Sequence, residues 1–321
     1  MSSNPSPLKS AIFKKADVGV YGLNDYFNEI VDLYNNNKLP NKILLSGPKG
    51  NGKSTLAYHI INYIFSKNET NPYNFEQKEI SDQNRSFKLF QNFSHPDFYL
   101  INLKEDKRDI EISQVRKMIN YTNKSSFNDR PRFVLIDNAE HLNISSVNAL
   151  LKVIEEPNDN LFFILIHNNK KSLIKTLKSR CLLFKINLTF DESISITNQL
   201  LNNNLFDLIN NDLINYYNSP GDYVNLVKFS KENKINLKEF NLREFLIYLI
   251  NEAHYKKNNF IKSNIFNFIE LYFLKIFYQS VNKNIFISFY AKFIRKIDDV
   301  KKYNLDYESL FIEFKSKFLN K

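Results

Sequence analysis

The sequence contains one cysteine, Cys181, no tryptophan and only six glycines among its 321 residues. A single cysteine excludes a disulfide within the chain and any zinc cluster built from cysteines. The five histidines are scattered along the chain without the regular spacing that metal ligands need. We therefore predict no zinc, and we expect the protein to work in the reducing environment of the cytoplasm.

Long apolar runs are absent as well. No stretch approaches the roughly 20 consecutive apolar residues of a membrane-spanning helix, so we expect no membrane association. Residues 1–10 lack the apolar core of a secretion signal. Hydrophobic residues still make up 43% of the chain. That content is enough to bury a sizeable core, and the length predicts two or three domains.

The chain has an excess of positive charge, with a formal net charge of +10 at pH 7. Such a balance is compatible with a nucleic-acid partner. The composition is also rich in Lys, Asn, Ile, Phe and Tyr, which an AT-biased genome would encode. The basic residues are spread along the chain and do not form one block. Both explanations of the charge stay open.

The first half of the chain alternates between apolar strands and amphipathic helices. The pattern predicts strands at 42–46, 98–101, 132–136, 161–166 and 182–186. Helices are expected at about 23–36, from the end of the phosphate loop to about 66, and at 112–121, 145–156 and 171–178. Residues 1–20 are predicted to be a poorly ordered arm, and 67–94 a polar surface excursion. The alternation predicts a doubly wound α/β domain with a parallel sheet.

After residue 187 the pattern is helical only. Residues 190–230 are expected to hold about three short helices, with a turn at residues 219–221. Residues 240–319 are expected to hold four or five longer helices. The segment 265–278 is apolar almost all round, which indicates a buried helix or a subunit contact.

A phosphate-binding loop carries the strongest functional signal. Residues 47–54 have the pattern G-x-x-x-x-G-K-S, directly after an apolar strand and directly before a helix, which is the context this motif requires. Backbone N–H groups of such a loop bind the β-phosphate, Lys53 reaches the β- and γ-phosphates, and Ser54 ligates Mg²⁺. The predicted nucleotide-binding residues are Gly47, Pro48, Lys49, Gly50, Asn51, Gly52, Lys53, Ser54, Thr55 and Asp137.

Asp137 follows the third strand directly, where a P-loop ATPase needs a second carboxylate for Mg²⁺. We predict that Ser54 and Asp137 hold Mg²⁺ with ATP or ADP, although Asp137 could instead cap a helix. Hydrolysis also needs a base that orients water, and the next residue is Asn138, which is no base. We therefore expect slow or absent turnover. Glu140 stays open as a replacement.

Arg180 follows a predicted helix and precedes the fifth strand. There it could act as an arginine finger on the nucleotide of a neighbouring subunit, or it could be an ordinary surface arginine in a turn. His167-Asn168-Asn169 ends the fourth strand, where a polar group could sense a γ-phosphate or simply begin a loop. Cys181 is expected to be a small buried residue.

Taken in this order, the motifs resemble the δ′ (delta prime) subunit family of bacterial DNA polymerase III clamp loaders, over nearly the whole chain. Residues 148–157 closely resemble the clamp-loader signature NALLKxLEEP. The SRC motif is matched by residues 179–181. Weaker likenesses lie at residues 39–48, 95–98, 112–116 and 304–306.

The resemblance implies an α/β P-loop AAA+ (RecA-like) domain at 1–187, a small helical lid at 188–235 and an all-α collar domain at 236–321. It also implies that Arg180 acts in trans on ATP held by the motor subunit γ/τ. The implied partners are γ/τ and δ in a hetero-pentamer. Through that complex the implied partners also include the β sliding clamp and primed DNA. The resemblance further implies that this subunit is the stator of the complex.

Three departures from the family pattern matter. Many relatives carry a four-cysteine zinc module in the region corresponding to 64–94, where this chain has no cysteine. Asn138 replaces the usual catalytic carboxylate. Where active relatives carry a nucleotide-contacting arginine, this chain has Asp222 and Tyr223, and an aspartate facing a triphosphate would be repulsive. We expect nucleotide to bind in a structural role without useful turnover.

Other classes of protein stay open. A self-sufficient AAA+ ATPase, such as a helicase loader or recombination motor, would need Glu140 or another group as its base, and has no reason to carry residues 148–157 together with 179–181. The γ/τ motor itself is disfavoured by Asn138 and the missing zinc cysteines. A small-molecule or nucleotide kinase would need an arginine-rich lid. A protein that only binds partners and keeps an unused P-loop would differ from a clamp-loader subunit in one respect. Its Arg180 would not affect catalysis by a partner.

Overall fold

The computed structural model describes residues 19–92, 94–104, 107–123, 130–155, 160–169, 171–279, 283–303 and 305–319. All but the last two residues of the predicted N-terminal arm lie outside the described residues. The same holds for residues 156 and 157 of the clamp-loader-like run and for residue 304.

One parallel sheet organises the first part of the chain. Its strands are β1 (Lys42–Ser46), β2 (Phe98–Ile101), β3 (Arg132–Ile136), β4 (Leu161–His167) and β5 (Leu182–Lys185). The spatial order is β2-β3-β4-β1-β5, and every neighbouring pair is parallel. The predicted strands and the predicted α/β P-loop AAA+ fold are confirmed, with β4 one residue longer and β5 one residue shorter than expected.

One helix precedes the first strand, and the others lie between successive strands. They are α1 (Asn24–Asn35), α2 (Lys53–Ser66), α3 (Arg85–Gln91), α4 (Ile112–Thr122), α5 (Ile144–Glu155) and α6 (Lys175–Lys178), with a 3₁₀ turn at Ala139–His141. The helix predicted at 171–178 is therefore only four residues long.

Alternate residues of the central strands enter two different cores. Ile43 and Leu45 pack with α1 and α2 on one face of the sheet, whereas Leu44 packs with α4 and α5 on the other. Successive side chains of a strand point to opposite faces, so a strand covered on both sides must be apolar throughout. This is why β3 and β4 have almost continuous apolar sequences.

The segment 67–94 is only in part the surface excursion predicted from its polarity, since residues 67–83 are mostly exposed but residues 84–90 are not. It contains α3, and Tyr73, Phe87 and Phe90 are buried. Asn84 caps this helix by accepting a hydrogen bond from the Phe87 backbone N–H at 2.7 Å. Glu69 accepts two further backbone N–H groups of the first turn, so the helix is fixed from two sides.

The second part of the chain is helical, as predicted. Its elements are α7 (Phe190–Leu201), α8 (Leu205–Leu208), a 3₁₀ turn at Asn211–Leu213, α9 (Pro220–Asn233), α10 (Leu242–Asn251), α11 (His254–Lys257), α12 (Asn259–Gln279), α13 (Lys283–Tyr303), α14 (Glu308–Phe314) and a π-helical turn at Lys315–Leu319. The turn predicted at 219–221 is the start of α9. Pro220 is its first residue, a position where proline's missing N–H has no consequence.

The apolar helix predicted around 265–278 is α12. It buries one side, including Ile269 and Phe273, while Leu274 and Tyr278 stay exposed by 45% and 73%. A cavity of about 580 Å³ lies between α12 and α13. No helix among the described residues has the length and apolarity required to cross a membrane.

The chain divides into two compact units. The first ends at Ile196 and also includes Ser219–Gly221. The second contains Thr197–Asn218 and the described residues from Asp222 onwards. The division into three domains at 187/188 and 235/236 stays a prediction.

Asparagine takes the left-handed backbone conformation at several loop positions. Asn37, Asn138, Asn160, Asn169 and Asn202 have φ between 49° and 63°. Among residues with a Cβ atom, asparagine adopts this region most readily, because its short polar side chain can bond locally. The few glycines of the chain are therefore supplemented by asparagine where turns need a positive φ.

Candidate functional site

The predicted phosphate loop joins β1 to α2. Gly52 has φ 77° and precedes the helix, a conformation that a larger residue there would strain. Gly47 packs so closely on β5 that a Cβ atom would lie 2.0 Å from the Ile186 carbonyl oxygen. Asn51 fixes the same side of the loop by donating to that oxygen at 3.3 Å. The loop is thus held against the sheet edge at the amino end of a helix.

The ammonium group of Lys53 lies inside this loop. It donates to the carbonyl oxygens of Gly47 and Pro48 at 2.8 Å and 2.5 Å, and the residue is buried. Pro48, Lys49 and Gly50 are exposed, whereas Thr55 is buried in the first turn of α2. The loop therefore has a cation at its centre, with its outer residues open to solvent.

Ser54 and Asp137 lie together at the carboxyl edge of the sheet, and their predicted role in holding Mg²⁺ stays a prediction. The Ser54 hydroxyl donates to Asp137 Oδ2 at 3.1 Å, and Asp137 is buried at the carboxyl end of β3. A hydroxyl oxygen and a carboxylate oxygen are hard donors of the kind that Mg²⁺ prefers. These two side chains fit a Mg²⁺ ion that also binds nucleotide phosphates. Among the described residues no cluster of three or more His, Cys, Asp or Glu side chains could hold a metal, and the prediction of no zinc stays a prediction.

Three asparagines form a relay along the carboxyl edge of β2, β3 and β4. Asn138 Nδ2 donates to Asn102 Oδ1 at 2.8 Å, and Asn168 Nδ2 donates to Asn138 Oδ1 at 2.9 Å. The Leu103 backbone N–H also donates to Asn102 Oδ1. Both ends of the Asn138 amide are therefore engaged, at the position where a hydrolytic base is usual.

The other polar groups at this edge have partners as well. Glu140 Oε2 accepts the backbone N–H of Asn168 at 3.2 Å, and the carboxylate is buried. The Ser46 hydroxyl lies 2.9 Å from His167 Nδ1 and 3.1 Å from Asn169 Oδ1. His167 Nε2 lies 2.9 Å from the Lys171 carbonyl oxygen, which fixes the ring between two strands. Glu140 therefore contributes to the structure of the β4 terminus.

Arg180 lies at the amino ends of the strands, whereas the phosphate loop lies at their carboxyl ends. It precedes Leu182, which pairs with Ile43 in the first half of β1, whereas the phosphate loop follows the last residue of β1. At about 3.3 Å per residue, the four residues from Ile43 to Gly47 span about 13 Å. The guanidinium also bonds to Glu155 and to the Thr176 carbonyl oxygen. Arg180 therefore cannot serve the phosphate loop of its own chain.

Cys181 is partly buried beside Arg180. Its thiol donates to the Leu177 carbonyl oxygen at 3.3 Å, and burial raises the pKa of the thiol to about 11. A thiol with so high a pKa is unreactive at neutral pH, as expected for a packing residue.

The loop also contacts residues 219–221. The Gly221 backbone N–H donates to the Gly50 carbonyl oxygen at 3.2 Å. Tyr223, which departs from the family pattern, is fully buried and donates its hydroxyl to the Asn215 carbonyl oxygen at 2.6 Å.

Two residues that contact the predicted site residues were not predicted from the sequence. Asn102 extends the asparagine relay, and it could have been found because it follows β2 as Asn138 and Asn168 follow β3 and β4. Glu155, the partner of Arg180, lies 25 residues before it in the chain. The two come together because both helices pack into one core, through Ile154 and Leu177.

The chain resembles known replication proteins. A family model described as DNA polymerase III, delta subunit, matches residues 22–189. DNA polymerase III subunit delta' of Pseudomonas aeruginosa is 29% identical over 138 residues, which are 43% of this chain and 40% of that protein. The same subunit of Buchnera aphidicola is 30% identical over 186 residues, 58% of this chain and 54% of that protein. The chain thus spans about half the length of these curated relatives.

Two further proteins are similar to this chain. DNA polymerase III subunit gamma of Buchnera aphidicola is 32% identical over 212 residues, 63% of this chain and 55% of that protein. A solved gamma subunit-related protein of Thermotoga maritima has 16% identity and a TM-score of 0.45, with 95% of each chain covered. Because the family model covers more than half of the sequence, this chain belongs to the DNA polymerase III, delta subunit family of clamp-loader proteins.

Proposed function

We propose that this chain is the delta prime subunit of a DNA polymerase III clamp loader. In this proposal it joins γ/τ and δ in a hetero-pentamer that opens the β sliding clamp and seats it on primed DNA in the cytoplasm. Several relatives are named delta' subunits and one is named a gamma subunit, which supports this choice of partners. The chain itself acts as a stator, with residues 188–235 as a lid and 236–321 as a collar.

The position of Arg180 is the observation that carries the proposal. A guanidinium at the edge of the sheet opposite its own phosphate loop can only meet a nucleotide held by another molecule. Arg180 is 39% exposed, so it is accessible to such a partner. An arginine finger supplied in trans stabilises the charge that develops on a transferring γ-phosphoryl group. Arg180 therefore acts on ATP bound by the neighbouring γ/τ subunit.

The phosphate loop of this chain binds ATP or ADP in a structural role. Lys53 exchanges its carbonyl partners for phosphate oxygens, and the backbone N–H groups of the loop complete the anion site. Ser54 and Asp137 would hold Mg²⁺, which neutralises phosphate charge when bound. Asn138 has no basic group to activate water, and the Glu140 carboxylate is bound at the end of β4. Turnover by this chain is therefore slow.

The test is ATP turnover by a reconstituted loader with γ/τ, δ, the β clamp and primed DNA. Arg180→Ala should leave assembly intact and lower turnover at the neighbouring site by roughly 10³-fold or more, diluted in the total by the other motor sites. Lys178→Ala is the matched control, since it removes an exposed cation at the end of α6, two residues before Arg180. Unchanged turnover in the assembled Arg180→Ala complex contradicts the proposal.

A self-sufficient AAA+ ATPase is the second candidate function. It is favoured by the intact arrangement of Lys53, Ser54 and Asp137. The two candidates differ in the isolated chain: an independent motor hydrolyses ATP alone and loses that activity in Lys53→Ala, whereas a stator has little activity to lose.

A further inference from the structure

The guanidinium of Arg180 is fixed by two partners within its own unit. Its Nε and one terminal nitrogen lie 3.0 Å and 2.9 Å from the same carboxylate oxygen, Glu155 Oε1. The other terminal nitrogen donates to the Thr176 carbonyl oxygen at 3.0 Å. Glu155 is the last residue of α5, so the end of one helix fixes a side chain that follows another.

These contacts leave a defined part of the guanidinium for a ligand. Arginine has five N–H groups in a rigid plane. Three of them bond to Glu155 and Thr176, which leaves one on each terminal nitrogen. Each terminal nitrogen thus keeps one N–H group for a phosphate oxygen, and these two groups are called the terminal fork. Glu155 occupies the edge of Arg180 formed by Nε and one terminal nitrogen, so it leaves the terminal fork for an anion.

We propose that Glu155 is a positioning residue, which orients Arg180 so that this terminal fork meets the γ-phosphate in the neighbouring subunit. The inference rests on the proposed function, because it requires Arg180 to act in trans. Its physical basis is preorganisation. An arginine that is already oriented loses less rotamer freedom when the phosphate arrives, and misplacement of a catalytic group by about 1 Å can lower the rate 10²-fold.

A purely stabilising role explains this pair less well. The two side chains are 39% and 51% exposed, and exposed ion pairs contribute about 0–1 kcal/mol to stability. A carboxylate beside a phosphate-binding arginine repels the phosphate, and binding at a different edge of the guanidinium weakens that repulsion by increasing the distance between the two anions. Glu155 does occupy a different edge, so the carboxylate is compatible with an anionic ligand at the fork.

The test uses the complete chain in the reconstituted loader. Glu155→Ala should lower kcat at the neighbouring site by about tenfold, with KM for ATP and assembly unchanged. Glu155→Gln keeps an oxygen that accepts the Arg180 N–H groups, so it should recover most of the rate. In an Arg180→Ala background, Glu155→Ala should have no further effect, because the two residues act as one unit. Glu232→Gln, which removes an equally exposed ion pair with Lys228, is the matched control.

Two results overturn the inference in that assay. Unchanged turnover in Glu155→Ala, with a large loss in Arg180→Ala, means that the finger needs no positioning residue. A rise in turnover in Glu155→Ala means that the carboxylate competes with the phosphate for Arg180.

A second measurement separates this inference from the proposed function. The ¹⁵N NMR signal of Arg180 Nε in the isolated chain reports directly whether the side chain is held. Glu155→Ala should move that signal to the position of a free arginine, and an unmoved signal contradicts positioning even if the loader assay is silent. If Arg180→Ala leaves turnover unchanged, the trans role fails and so does the inference built on it. The NMR result then shows only whether the two side chains are paired.

Discussion

At the scale of single residues, Asn138 is held in place by both its backbone and its side-chain amide. Its backbone is left-handed, with φ 63° and ψ 48°, and both ends of its amide belong to the asparagine relay. A glutamate at this position would enter a strained conformation and leave Asn102 and Asn168 without their partner.

We therefore expect Asn138→Glu to leave ATP turnover of the isolated chain within about twofold of wild type. The same substitution should lower the free energy of unfolding by about 1–3 kcal/mol, because of backbone strain and lost hydrogen bonds. Steady-state turnover and urea denaturation measure the two effects. Asn138→Asp is the matched variant, since aspartate tolerates the left-handed region. A gain of about 10²-fold in Asn138→Glu would contradict this account of the site.

At the scale of elements, the helix α3 depends on a residue far from it in sequence. Glu69 accepts the backbone N–H groups of Arg85 and Ser86 at 2.9 Å and 3.2 Å, and the Ser86 hydroxyl at 2.6 Å. A carboxylate at a helix amino terminus satisfies otherwise unpaired N–H groups and interacts favourably with the helix dipole. Glu69→Ala should destabilise the chain by about 1–2 kcal/mol in urea denaturation. The exposed Glu76→Ala should change it by less than about 0.5 kcal/mol, and an equal loss in both variants would contradict the capping role.

His95 connects α2 and α3 and makes that connection sensitive to acid. Its ring stacks on both Phe65 and Phe90, at centroid distances of 4.2 Å and 4.9 Å. Its Nδ1 accepts the Asp97 backbone N–H at 3.2 Å. Burial, followed by the charges of Arg130 and Arg85, lowers the pKa of His95 to about 4. The neutral ring is thus favoured in the folded chain.

Because the unfolded chain binds this proton with a pKa near 6.5, it binds more protons than the folded chain between about pH 6.5 and pH 4. Stability should therefore fall as the pH drops through that window and level off below it. The full shift corresponds to about 3 kcal/mol, which solvent at the partly exposed ring reduces to about 1–2 kcal/mol. His95→Phe keeps the stacking and removes the titration. An equally steep pH dependence in that variant, measured by urea denaturation, would assign the effect to other groups.

These elements show which parts of the structure could be predicted from the sequence. The five strands and the meeting of Ser54 with Asp137 were predictable, because apolar runs define parallel strands and their carboxyl ends share one edge. The helix α3 was not, because it has only seven residues and lies within a polar segment. The pair of Glu155 and Arg180 was not predictable either, since it depends on α5 and α6 sharing one core. Local patterns predict elements, whereas contacts between distant elements require the fold.

At the scale of the whole molecule, nucleotide binding should stabilise the chain. A ligand that binds only the folded state at 100 times its Kd adds about 2.7 kcal/mol to the free energy of unfolding. Mg²⁺ with ATP should therefore raise the thermal midpoint of the wild type, and Lys53→Ala should abolish the shift. Lys38→Ala, an exposed lysine before β1, is the matched control. A wild-type midpoint that stays constant up to millimolar ATP would mean that the loop no longer binds nucleotide.

The left-handed asparagines have a consequence for the unfolded chain. Glycine is the usual residue at a positive φ, but it gives the unfolded backbone the widest conformational freedom, and this freedom is lost on folding. A residue with a Cβ atom narrows the unfolded ensemble, and at a positive φ backbone strain in the folded state offsets part of that gain. Asn37, Asn160 and Asn202 make their turns with a side chain present. A chain with six glycines therefore begins folding from a narrower ensemble, and its asparagine-rich loops reduce the conformational entropy that folding must overcome.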